Sequence, residues 1–140
     1  PLQIRFDPTQ YYQSYARVAG NYDRDYSNFR VEGAQGNALV TLLAASSTYN
    51  VPIVFVNMPL TEEYLDPFRL GYEQTFRQYM LNLALQQENF IFRDLGELWL
   101  DNTDHRSYFS DPSHLNQYGA DEISRYISKD PMIPWDVTTR

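Results

Sequence analysis

The 140-residue chain has no cysteine. That excludes a disulfide framework, a thiolate zinc site and a cysteine nucleophile, and it leaves the compartment open. No apolar run reaches the ~20 residues that span a bilayer. No secretory leader pattern opens the chain. It begins at Pro1 without a methionine, which reads as a piece of something longer, with room upstream for a targeting or membrane segment. Basic residues are in the minority, 11 Lys and Arg against 18 Asp and Glu, for a formal net charge of −7. Nucleic acid and anionic membrane surfaces require a basic patch, so neither is expected as a partner. Internal repeats and low-complexity tracts are also missing.

What remains is the composition of one globular domain: 43% hydrophobic and 16% aromatic, with Tyr unusually common at 12. Residues 1–35 carry Tyr11, Tyr12, Tyr15, Tyr22, Tyr26 and Phe29 with no steady period. The expectation is an irregular, aromatic-rich arm. It would hold a short strand at Ile4 and Phe6 before Asp7-Pro8, and one helical turn between Tyr11 and Val18. Its rings would cover one face of a sheet.

Residues 36–140 read as α/β. Asn37 is placed to cap a helix with Leu39, Leu42, Leu43 and Ser46/Ser47 three and four apart, ending by Asn50. Ile53-Val54-Phe55-Val56 is short, continuous and β-branched, as in a parallel strand buried on both faces. Asp66-Pro67 opens a second helix with Tyr72, Phe76, Tyr79, Met80 and Leu83 on one stripe, ending near Gln87. Phe90 to Arg93 gives a second strand. Leu98-Trp99-Leu100 forms a turn on the core. A last helix is expected from about Ser113 to Ser128, with Leu115, Tyr118, Ile123, Tyr126 and Ile127 inward. Trp135 then tacks the tail down. Helix, strand, helix, strand implies parallel strands joined by right-handed crossovers.

The chemistry is concentrated between Tyr108 and Ala120. Asp111 lies three residues before His114, so its carboxylate can fold back onto one imidazole nitrogen and leave the other as a general base. A purely structural reading stands beside this: Asp111 as N-cap, Pro112 at the first helical position, and His114 in the first turn. Placement favours the first. In open α/β sheets the active crevice lies beyond the carboxyl ends of the strands, and the loop after Asp94 leads there.

Asp111-Pro-Ser-His114, followed by Leu-Asn and Gly119-Ala120, resembles the last conserved block of the SGNH (GDSL-like) hydrolases and acyltransferases. The strands ending in Met58-Pro59 and Asp94-Leu95 sit where that family's fourth and fifth strands would be. The nearest likeness is to a bacterial, often membrane-associated branch, similar to proteins of cell-wall D-alanylation and alginate acetylation. The resemblance covers residues 36–130. It implies a partial three-layer α/β/α, flavodoxin-like fold lacking its N-terminal strands. It also implies that Asp111 and His114 are two members of a Ser-His-Asp triad. The substrate implied is an acylated small molecule or envelope glycan, and the parent protein would be extracytoplasmic or membrane-associated. No Gly-Asp-Ser or Gly-x-Ser-x-Gly occurs in the chain. Gly20-Asn21-Tyr22-Asp23 is only a scrambled echo of the family's oxyanion block. The chain therefore reads as the half of such an enzyme that holds the base without the nucleophile, inactive alone. A noncatalytic interaction module, with the Tyr-rich arm as contact surface, is the alternative.

Asn116 is a candidate substrate contact, though steadying the loop is its simpler role. His105, with Asp101, Asp104, Asp111 and His114, matches no ligand spacing, so neither a metal nor any other cofactor is expected. Ser46 and Ser47 read as packed or solvated, and Ser110 and Ser113 as partners of the loop backbone. With few strands, the free side of the Ile53–Val56 strand should be open. It should recruit a second copy, the missing N-terminal half, or the arm.

Overall fold

The computed structural model describes residues 6–101 and 105–135. Helices and small sheets alternate as an α/β chain. A first helix, α1, runs from Pro8 to Asp25. The segment expected to be irregular is thus mostly helical. The reason is its start: the Asp7 carboxylate accepts the Gln10 N–H at 3.2 Å, and Pro8 sits at the first helical position. Asp7-Pro8 opens a helix here, where an end of a strand was expected. Ile4 lies outside the described residues. Tyr26 settles on α3, and Tyr12 on the loop after β1. Tyr26 stacks on Tyr72 at 5.2 Å and donates to Glu73 at 2.8 Å, and Tyr12 donates to Glu63 at 2.7 Å.

Helix α2 spans Ala34–Tyr49. It starts earlier than the Asn37 cap expected, at Gly33, whose φ of 118° is one that L side chains rarely adopt. The boundary placed at residue 35 therefore falls inside α2. Asn50 closes the helix in the left-handed conformation. Helix α3, Pro67–Gln86, is capped by Asp66, whose carboxylate accepts the Phe68 and Arg69 N–H groups at 2.9 Å each. Between and after these helices run β1, Ile53–Asn57, and β2, Phe90–Asp94. They pair in parallel, with Ile53 opposite Phe90 and Asn57 opposite Asp94. Leu43, Met80, Phe90 and Phe92 form the core, with Leu39, Ile53, Phe76, Tyr79 and Leu83 packed around it.

β1 departs from the expected burial. Phe55, its central residue, remains 36% exposed although it touches Phe76 and Phe92. Only β2 pairs with β1 among the described residues. The chain then makes a turn at 96–101, where Trp99 packs on Tyr108 at 4.8 Å. A 3-10 turn, His105–Tyr108, leads into a hairpin of β3, Phe109–Asp111, and β4, His114–Leu115. Helix α4, Gln117–Ile127, follows. Ile133 is the buried residue of the tail; Trp135, expected to hold it down, is 60% exposed. Tyr118 and Tyr126, expected inward, are also exposed.

Candidate active site

The last helix begins at Gln117, so Asp111 is not its cap. Asn116 is. Its Oδ1 accepts the Tyr118 and Gly119 N–H groups at 2.9 and 3.0 Å. Its Nδ2 donates to the carbonyls of Ser107 at 2.7 Å and Phe109 at 3.3 Å. Both ends of the amide are engaged, so Asn116 ties α4 to the hairpin. Pro112 and Ser113 form the two-residue turn between the strands. Asp111 and His114 face each other across it.

That turn frees the Asp111 carboxylate for other work. Its Oδ1 accepts the backbone N–H groups of Ser113 and His114, both at 3.1 Å. Nδ1 of His114 lies 2.9 Å from Oδ1 and 3.1 Å from Oδ2. A carboxylate can only accept, so in the neutral ring Nδ1 carries the hydrogen and Nε2 the lone pair. The Asp111 side chain is 9% exposed and the His114 side chain 65%. A buried acid thus holds an exposed base, and among the described residues Nε2 has no hydrogen-bond partner.

Two contacts hold the turn in place. Thr61, fully buried in the loop after β1, gives both its Oγ1 and its N–H to the Pro112 carbonyl, at 2.9 and 3.1 Å. Gly119 lets α4 approach the chain ahead of β3. A Cβ there would stand 2.2 Å from the Tyr108 carbonyl oxygen. Leu60 N–H also bonds the Gly96 carbonyl at 2.9 Å, and Asn57 Nδ2 donates to Asp94 at 3.0 Å. The loops leaving the carboxyl ends of β1 and β2 are therefore tied to one another and to the Asp111–His114 turn. Thr61 and the close approach at Gly119 were missed from sequence. Each depends on a contact distant in the chain, and neither residue has a local pattern that would mark it.

The remaining candidates are placed plainly. Ser113 Oγ is 3.2 Å from His114 Nδ1 and 3.4 Å from Asp111, on the nitrogen that faces the acid. Ser46 Oγ donates to the Val51 carbonyl at 2.5 Å and closes the α2–β1 turn. Gly20-Asn21-Tyr22-Asp23 lies within α1, whose backbone N–H groups are spent on helix bonds. His105 is buried against the edge of Phe109. No group of three or more His, Asp or Glu gathers as metal ligands among the described residues, and Asp104 lies outside them. A polar cleft of about 470 Å³ opens beside the hairpin, lined by Asp7, Tyr11, Arg106, Ser110 and Asn116. Neither Asp111 nor His114 lines it. Comparison with known families, with curated proteins and with solved structures finds no match for this chain.

Proposed function

We propose that this chain carries the acid and the base of an SGNH-type ester hydrolase or O-acyltransferase, without its nucleophile. One observation carries the reading: the buried Asp111 carboxylate on Nδ1 of an exposed His114 whose Nε2 has no partner among the described residues. In such a site Nε2 takes the proton of an attacking hydroxyl and returns it to the leaving group. Asp111 holds the tautomer and offsets the imidazolium charge. The substrate class is an acylated small molecule or an acylated envelope glycan.

The fold proposed is a partial three-layer α/β/α sheet of the flavodoxin-like type. Phe90 and Phe92 face the core with α3, so the alternating Arg93 projects from the other face. There its Nε donates to Asp130 at 2.6 Å, tying down the chain just after α4. Helices on both faces and catalytic groups in the loops beyond the strands' carboxyl ends support the arrangement.

Members of a triad act as a unit, so the pair alone supplies little acyl transfer. With p-nitrophenyl acetate, wild type and His114→Ala are expected to hydrolyse at the same background rate. Diethyl pyrocarbonate should modify His114 several-fold faster in wild type than in Asp111→Asn, because the carboxylate on Nδ1 keeps the ring's lone pair on the outward Nε2. Equal rates would remove the base from the account. Turnover lost in His114→Ala would mean that the chain holds a complete enzyme. A noncatalytic module is the second reading, favoured by the lack of any hydroxyl on Nε2 among the described residues. Its contact surface would be the Tyr-rich segment, where Tyr12 is 44% exposed.

A further inference from the structure

From Ala34 to Thr61 the chain contains no Asp, Glu, Lys, Arg or His, although its formal net charge is −7. That stretch is α2, β1 and the loops around them. A helix apolar on every side is normally covered on every side. In α2 only Leu43 and Ser46 are buried, while Val40 and Leu42 are about half exposed. Between α2 and α3 lies a largely apolar groove of about 450 Å³, lined by Val31, Leu39, Leu42, Phe55, Phe76 and Tyr79, with Arg30 its one charged residue.

The backbone beside the groove is also unfinished. Ile53 N–H bonds the Asn89 carbonyl, and the Asn57 carbonyl accepts Leu95 N–H. In a parallel ladder, alternate residues face the same neighbour, so Ile53, Phe55 and Asn57 point their backbone groups at β2. Val54 and Val56 point theirs away from it, and these bond no described residue. Acyl chains cannot satisfy backbone N–H and C=O groups; another strand can.

We propose that this edge pairs with the same edge of a second copy, β1 against β1 in antiparallel fashion about a twofold axis at Phe55. Val54 then exchanges both backbone bonds with the partner's Val56, and the reverse. The two Phe55 side chains meet at the axis and close the mouths of the two grooves. Charge selects a second copy over a foreign chain. A twofold interface sets each residue near its own equivalent, so any charge would face a like charge. Two copies at −7 repel least where the surface carries no acid, and α2, β1 and the groove carry none; Arg30 is the one charged residue on the groove's lining. A foreign partner would find no acidic group here for a basic patch and only Arg30 for an acidic one, too little charge to select it. The pairing leaves the Asp111–His114 turns clear, because the antiparallel sheet sets the two hairpins at opposite ends, but it takes the edge that further strands of a complete three-layer sheet would occupy.

Sedimentation velocity tests this, with Val56→Pro as the variant. Proline there removes the outward N–H and leaves the bonds to β2 intact. Wild type is expected to sediment as a dimer at tens of micromolar, and Val56→Pro as a monomer with unchanged helical circular dichroism. Leu42→Lys, which puts like charges across the interface, is the second variant and should also be monomeric. A monomeric wild type, a dimer that survives both substitutions, or flotation of wild type with phosphatidylcholine vesicles would each overturn the proposal.

Discussion

The loops beyond the strands and the free side of β1 are built on opposite principles. The loops are polar and closely bonded. Thr61 holds Pro112 twice, Asn116 uses its whole amide, and Asp111 takes two backbone N–H groups along with the imidazole. The free side of β1 is largely apolar, with Arg30 the one charged residue on its groove, and the Val54 and Val56 backbone groups bond nothing described. A buried polar network must be satisfied within the chain, whereas an apolar face can be satisfied by a second molecule. One end is thus a self-contained site and the other a surface that awaits cover.

Substitutions can break that contrast in order of size. Gly119→Ala drives a methyl into the Tyr108 carbonyl, so α4 must move; a loss of about 3 kcal/mol by urea unfolding is expected, at the high end for overpacking. Thr61→Val keeps the shape but deprives the Pro112 carbonyl of its hydroxyl donor, at about 1–2 kcal/mol. On the open side, Phe55→Ala should cost the monomer less than the roughly 3–5 kcal/mol of a fully buried ring, since Phe55 is incompletely covered. A full-sized cost in a monomeric sample would mean that the open side is as tightly built as the loops.

Titration sharpens the contrast with smaller effects. Burial works against ionising Asp130, but the Met132 N–H and the Arg93 guanidinium outweigh it and hold the carboxyl below its ordinary range. Its folded value is depressed, so its contribution is present above about pH 4, near the unfolded value, and is lost as pH falls through the folded value. Asp130→Asn should flatten the acid limb of a thermal-melting profile. Burial, with the hydroxyl of Tyr64 and the carboxylate of Glu73, pushes Tyr26 above its ordinary range. That contribution is full below about pH 10 and declines as pH rises beyond it. Tyr26→Phe should lessen the alkaline loss.

Local signals were legible. Asp66-Pro67 announced α3 because the cap, the proline and the apolar stripe agree within a few residues. Ile53 to Val56 and Phe90 to Arg93 read as strands, and Asp111 and His114 as a pair. The same dipeptide at Asp7-Pro8 does open a helix: Tyr11, Tyr15, Val18, Tyr22 and Tyr26 recur three and four apart, a helical stripe that reading Tyr12 and Phe29 along with them obscures. The last helix was started too early, since Asp111-Pro112 imitates a cap while Asn116 does the capping. Trp135 was taken for an anchor on size alone, and Ile133 fills that place. The missed contacts span distances in sequence that no local pattern encodes.

The imidazole tautomer tests the central claim most directly. Nitrogen-15 chemical shifts of His114 near pH 8 should report a protonated Nδ1 and a bare Nε2, and Asp111→Asn should erase that preference. A neutral ring with its hydrogen on Nε2 in the wild-type chain would contradict the account.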